Sequence, residues 1–224
     1  MGKEIKNENL DICKECGGMC CKKSGCDYSA ADFDNCSYNN LVKELSKGDK
    51  SIICYMKFKE DALGNVTYEP FLYLRARNND RDIIDLVSIK TGCALLLDTG
   101  CSLDYKHRPM GGRNLKPVDS REGACVPLKN PMDIVKSWKP HQKTLKRLVI
   151  TFSGKSVNAK IKEDVENLFY EVLTKDLSLI SPKELEDIKG FIPLLIKAFP
   201  DELNNASIRY NKNKSKVLAK NKYN

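Results

Sequence analysis

The stretch Cys13-Lys-Glu-Cys16-Gly-Gly-Met-Cys20-Cys21-Lys-Lys-Ser-Gly-Cys26 holds five of the chain's ten cysteines in a C-x2-C-x3-C-C-x4-C spacing. A C-x-x-C pair beside glycine is the usual way to aim two thiolates at one metal. Gly17, Gly18 and Gly25 let the loop turn tightly and bring backbone N–H groups close to a ligated sulfur. The N-terminus has no apolar secretory segment, and Lys6 stands where a myristoylation signal needs Ser or Thr. The expected compartment is therefore the cytoplasm, where thiols stay reduced and clustered cysteines read as metal ligands before disulfides.

Outward from the loop, Ser29 and Asp32 form a capping-box pattern that predicts a short helix. Ser37 caps a second helix carrying Leu41, Val42 and Leu45, with Gly48 just past its end. Residues 52–59 and 69–77 alternate apolar and polar side chains with strand period, separated by a turn at Leu63-Gly64-Asn65. A third apolar run covers 83–89. Cys93 and Cys101 flank a short strand and the Asp98-Thr99-Gly100 turn, which can return both thiols to one end of a sheet. Tyr105 to Pro117 holds two glycines and two prolines and reads as a rigid, irregular loop. In it Arg108 and Arg113 cap carbonyls or hold an anion, and His107 reads as a surface or packing residue. Cys36 and Cys54 read as small packing residues.

After Cys125 the pattern turns helical. Asn130-Pro131 is an N-cap and N1 pair. Pro140 kinks or restarts that helix. Ile161, Val165, Leu168, Phe169 and Val172 make the stripe of the next, and Ser181-Pro182-Lys-Glu184 opens a third that runs to Phe199-Pro200. The expected class is α+β: a small metal-stapled antiparallel sheet with short helices, followed by a helical region. The domains are 1–128 (cysteine cluster), 129–208 (helical) and 209–224 (a basic, flexible tail). Of the formal charge of +8, Arg209, Lys212, Lys214, Lys216, Lys220 and Lys222 supply most. Only Tyr210 and Tyr223 interleave them, so a solvated tail is favoured over nucleic-acid contact. No apolar run approaches the about 20 residues that cross a bilayer.

Two blocks, Cys13 to Cys26 and Gly92-Cys93-Ala-Leu-Leu-Leu to Arg108-Pro109 and Arg113, carry a resemblance. The sequence resembles the bacterial cysteine-cluster family with a C-x-x-C-x-x-C-C signature, described as a zinc- or iron-chelating domain. The match spans roughly the first 140 residues. More distantly, it is similar to the cysteine-rich part of flagellin lysine N-methylases. Two departures stand out. Three residues precede Cys20-Cys21 where the family has two, and Gly112 stands where many members carry a cysteine in R-P-x-x-C-R. Cys125 is the candidate replacement.

With Cys36 and Cys54 set aside, the expected metal ligands are Cys13, Cys16, Cys20, Cys21, Cys26, Cys93, Cys101 and Cys125. They suffice for two four-cysteine zinc sites, or for one four-iron cluster with spare thiols. Soft thiolates suit both. Adjacent Cys20 and Cys21 tip the expectation towards an iron–sulfur cluster, 4Fe–4S in type, over Zn2+. Lys14, Lys22, Lys23, Arg108 and Arg113 are at hand to offset its charge. The expected function is a metal-binding cysteine-cluster protein with a structural, electron-transfer or redox role. The alternatives are a zinc-binding protein, a protein lysine N-methyltransferase-like enzyme, and a protein that binds a partner through its C-terminal helices. Against the enzyme, the chain has no G-x-G-x-x-G loop for an adenosyl cofactor and no base–nucleophile set.

Overall fold

The computed structural model describes residues 15, 26–77, 82–87, 93–97, 100–116, 125–174 and 182–221. The fold is α+β. Strands β1 (Asp27–Tyr28), β2 (Lys50–Glu60) and β3 (Val66–Ala76) form a three-stranded antiparallel sheet in the order β1-β3-β2. Two short ladders follow, β4 (Leu96–Leu97) with β5 (Gly100–Cys101) and β6 (Leu115–Lys116) with β7 (Val126–Pro127). Seven described α-helices complete the chain: α1 (Tyr38–Leu45), α2 (Met110–Arg113), α3 (Pro131–Lys136), α4 (Gln142–Ser153), α5 (Val157–Thr174), α6 (Pro182–Ala198) and α7 (Pro200–Asn221).

Local chemistry sets many of these boundaries. Ser29 and Asp32 make both bonds of a capping box, although the helix they open is a single 3-10 turn, Ala30–Asp32. The Ser37 hydroxyl caps α1, and the Asn130 side chain caps α3 with Pro131 in its first turn. The β2–β3 turn is tied by Asp61, whose Oδ1 accepts from the N–H groups of Leu63 and Asn65 at 2.9 Å. Gly64 there has φ 82°, the left-handed region that glycine enters without steric cost.

The chain divides into two compact units. One comprises the described residues within Met1–Tyr55, Phe71–Asp85 and Lys90–Gly154; the other, those within Met56–Pro70, Leu86–Ile89 and Lys155–Asn224. The helical stretch 131–153 therefore belongs to the same unit as the cysteines.

In the first unit Leu41, Leu45, Ile52, Leu72, Leu74, Trp138, Leu145 and Leu148 are fully buried. Each such side chain contributes about 1.5–3 kcal/mol of transfer free energy. The Trp138 indole N–H donates to the Tyr28 carbonyl at 2.7 Å, and its ring meets Phe33 edge-on at 5.5 Å. Ser137 accepts the Ala30 N–H at 2.9 Å, so the end of α3 is bonded to the segment after β1. β1 pairs only as far as Tyr28↔Leu74. Beyond it Gln142 takes the place of a strand: its Oε1 accepts the Leu72 N–H at 2.9 Å and its Nε2 donates to the Leu72 carbonyl at 2.8 Å.

In the second unit Val157, Ile161, Val165, Leu168 and Phe169 form the buried stripe of α5, with Leu195, Phe199 and Ala206 buried on α6, at the α6–α7 junction and on α7. Tyr68 stacks on Phe199 at 4.7 Å, and Phe58 meets Phe191 at 6.0 Å. α6 passes through Pro193 and ends at Ala198, but Pro200 then opens α7, so proline marks a new start rather than the end of the helical region.

Three expectations are corrected. The stretch from 209, expected as a flexible tail, continues α7 to Asn221. Arg209 stacks 4.0 Å over the Tyr170 ring and donates to Asn167 at 3.0 Å, and Asn213 donates to the Tyr170 hydroxyl at 2.9 Å. The loop 105–117 is not irregular: it contains a 3-10 turn, Tyr105–His107, capped by Asp104, and then α2 and β6. Within the apolar run 83–89, the described residues make only an isolated parallel bridge, Ile52↔Ile84. No helix among the described residues is long and apolar enough to cross a membrane.

Gln142→Leu keeps the volume but leaves the Leu72 N–H and carbonyl without partners. It should lower the unfolding free energy by about 2–4 kcal/mol in urea titrations. A change below about 0.5 kcal/mol would show that Gln142 does not complete the sheet.

Candidate functional site

Cys26 is placed by β3. Its carbonyl accepts the Ala76 N–H at 2.8 Å, and on the next residue of that chain the Arg77 carbonyl accepts the Ala94 N–H at 2.8 Å. Adjacent residues at the end of one strand therefore hold Cys26 on one side and the segment beginning at Cys93 on the other. The β4–β5 ladder folds that segment back, with Leu96 opposite Cys101.

The electrostatics agree with the backbone. Burial pushes the Cys26 thiol well above its ordinary range, and Cys93, Asp27 and Cys101 push it the same way, while the Gly112 N–H bonded to it pulls it back. Cys26, from the first cysteine block, thus lies within reach of the charge of two thiols from the second, Cys93 and Cys101, and is costly to ionise there.

The ceiling of this site is α2, held at unusually close range. A Cβ on Gly111 would lie 2.7 Å from the Asp27 nitrogen and 2.8 Å from its oxygen. A Cβ on Gly112 would lie 3.0 Å from the Cys26 sulfur. Glycine at 111 lets the helix rest on β1, and at 112 a side chain would crowd the Cys26 sulfur. Asp32 locks the approach: its Oδ2 accepts the N–H groups of Ser29 and Met110, both at 2.8 Å, and its Oδ1 pairs with Arg113.

Two buried or half-buried cations sit on β3 and β2 in this unit. Arg75, opposite Asp27 in the β1–β3 register, donates from Nε to Asp27 at 2.6 Å. Lys50 is buried, 5.4 Å over the Tyr28 ring and paired with Asp49 at 2.9 Å and Glu44 at 3.2 Å. Sequence reading missed Asp27 and Arg75, and for Asp32 gave the capping box but not the bonds to Met110 and Arg113. Asp27 follows Cys26 directly, but its pairing with Arg75 needs the strand register.

The other sequence-predicted residues fall as follows. Cys13, Cys16, Cys20 and Cys21 lie outside the described residues. Cys125 is half-buried and leads into β7, whose ladder with β6 is clipped by Asn114: the side chain donates to the Lys129 carbonyl at 2.9 Å and accepts its N–H at 2.8 Å. Arg108 donates to the Leu103 carbonyl at 3.1 Å, as a carbonyl cap, whereas Arg113 pairs with a carboxylate. His107 is exposed and bonded to Asp104 at 2.8 Å. Cys36 is half-buried, its thiol 3.5 Å from the Ala30 carbonyl, and Cys54 is held on β2 with its thiol pushed up to about 12 by burial. Among the described residues, no group of three or more His, Cys, Asp and Glu side chains is placed to hold a metal ion.

No protein-family model matches the chain, and comparison with curated proteins and with solved structures finds no match.

Two outcomes test the site. Gly111→Ala forces a methyl against backbone that cannot yield, and should destabilise by about 3 kcal/mol, more than Gly112→Ala, whose methyl meets a movable sulfur. Equal small losses in thermal unfolding would contradict the close approach of α2. Cys54, with its thiol near 12 against an ordinary 9.0, should alkylate two to three orders of magnitude more slowly in the folded protein than after unfolding, at about pH 8. Equal rates would remove the burial argument.

Proposed function

We propose that this chain is a metal-binding cysteine-cluster protein, and that its group is an iron–sulfur cluster of the four-iron type. The observation that carries this reading is the meeting of the two cysteine blocks: neighbouring residues at the end of β3, Ala76 and Arg77, are bonded to Cys26 of the first block and to Ala94, beside Cys93 of the second. Cys13, Cys16, Cys20 and Cys21 complete the donor set in this reading. The cluster supplies a one-electron redox centre, or simply a cross-link, between two segments that are far apart in sequence.

The residues fit such a group. A thiol that burial keeps protonated, as it does Cys26, becomes a good ligand once a cation offsets its charge. The Gly112 backbone lies against the Cys26 sulfur, where its N–H favours the thiolate form, the way a protein tunes ligated thiolates. Arg75 stands beside the same residue. The reading also groups the chain with the C-x-x-C-x-x-C-C proteins it resembles. There a cysteine at position 112 is common. Here the Cys26 sulfur occupies the space that a side chain at 112 would enter. Cys26 therefore takes that ligand's place, and Cys125 is a secondary candidate. The cytoplasm suits a reduced thiol cluster.

The test is metal analysis with a visible spectrum on anaerobically purified protein. The expected protein is brown, oxygen-sensitive and absorbs near about 400 nm. Cys16→Ser should lower both metal content and melting temperature, because metal binding is part of folding free energy, while Cys54→Ser leaves metal content unchanged. A colourless protein with stoichiometric zinc would replace iron and keep the ligand set. Equal metal loss in both variants would break the ligand assignment.

A further inference from the structure

The stretch 126–154 concentrates positive charge. It holds Lys129, Lys136, Lys139, Lys143, Lys146 and Arg147 against one acid, Asp133. On α4, Lys143, Lys146, Arg147 and Ile150 are spaced i, i+3, i+4 and i+7, which puts them on one face, and all four are exposed. The opposite face, with Leu145, Leu148 and Val149, is fully buried. Lys139, one turn before Lys143, is exposed as well.

This charge is not neutralised within the fold. Among the described residues Lys139, Lys143, Lys146 and Arg147 make no ion pair, and Lys136 reaches only Asp133, at 4.0 Å. α1 meets α4 through Arg147, stacked 4.0 Å over the Tyr38 ring, and through the Tyr38 hydroxyl, bonded to Thr151 at 2.8 Å. It adds Lys43, and its acid, Glu44, is engaged by Lys47 and Lys50. Like charges one turn apart repel, and a lysine in a first turn without acids opposes the helix dipole. The row therefore weakens α4 rather than supporting it, and its use lies with a polyanionic partner.

The face itself selects the kind of polyanion. A bilayer takes up a basic helix through its apolar face, and that of α4 is spent on the core. The bases of a single strand stack on bare rings, but here Tyr38 lies under Arg147 and Trp138 is buried. What remains is a row of cations on a rigid helix. Such a row suits the phosphates of a duplex, which it contacts without reading sequence.

We propose that the exposed face of α4, together with Lys139, is a docking surface for the phosphate backbone of duplex nucleic acid, bound without sequence preference. This does not depend on the metal reading.

The test measures binding of the full chain to a labelled random-sequence duplex, as DNA and as RNA, by fluorescence anisotropy at about 50–200 mM salt. Wild type should bind at least one of them, the tighter arm naming the source, and should lose affinity steeply as salt rises. The triple variant Lys139→Gln, Lys143→Gln, Lys146→Gln should bind at least about tenfold more weakly at about 50 mM salt, with a log–log salt slope smaller by about 2–3, since each phosphate contact contributes about 0.9. Glutamine is a good helix former, so its melting temperature should be unchanged or raised by the loss of repulsion. The control Lys212→Gln, Lys214→Gln, Lys216→Gln removes the same charge from α7 and should stay within about threefold of wild type. In wild type, either bound duplex should protect Lys139, Lys143 and Lys146 from acetylation, a readout that needs no variant. Equal losses in the two triple variants, or no protection, overturns the proposal. So does wild type that ignores both duplexes at about 50 mM salt, whether or not it binds phosphatidylserine vesicles.

Discussion

The contact on which the cysteine-bearing unit depends is the approach of Gly111 and Gly112 to Cys26 and Asp27. A backbone-to-backbone contact this close tolerates no side chain, and it removes Cys26 from water on one side. It is held by one carboxylate, Asp32, which caps its own 3-10 turn, accepts the first N–H of α2 and pairs with Arg113. An ionised carboxylate accepting two backbone N–H bonds and a guanidinium is a satisfied buried charge, and such groups specify geometry more than they add stability.

Around that contact the sheet supplies the reach. Cys26 and Ala94 are bonded to neighbouring residues at the end of β3, so two cysteine blocks about seventy residues apart arrive at one place through ordinary backbone pairing. The hairpin β4–β5 then brings Cys101 back towards Cys93. The cost of gathering these thiols is visible in Cys26, which burial and its neighbours hold protonated. In the reading proposed above, such a gathering of thiols would receive a soft cation, with Arg75 beside Cys26 as outer support.

Much of the fold was legible because it is local. Ser29 with Asp32, Ser37, and Asn130 with Pro131 announce helix starts by hydrogen bonds within four residues. Gly64 marks its turn by the dihedral it must adopt. The alternation from 52 to 59 and from 69 to 77 gave both long strands. What the sequence hid is non-local. Nothing near Gln142 says that it will pair with Leu72, and nothing near Trp138 says that its indole will bond Tyr28. The two glycines and the proline before α2 read as loop signals, because glycine's poor helix propensity is outweighed here by a tertiary contact that only glycine permits. The continuation of α7 beyond 208 was missed for a similar reason: its lysines and asparagines carry little apolar signal, and it is held to α5 there by Arg209 and Tyr170.

The central claim is that the two cysteine blocks share one metal site. X-ray absorption at the metal edge, on wild type and on Cys93→Ser, tests it most directly. The account predicts a first shell of sulfur alone at about 2.3 Å in the wild type. In Cys93→Ser it predicts that one sulfur donor is replaced by oxygen or that the metal is lost. An unchanged sulfur shell at full occupancy in Cys93→Ser, or a wild-type shell dominated by oxygen and nitrogen, would contradict it.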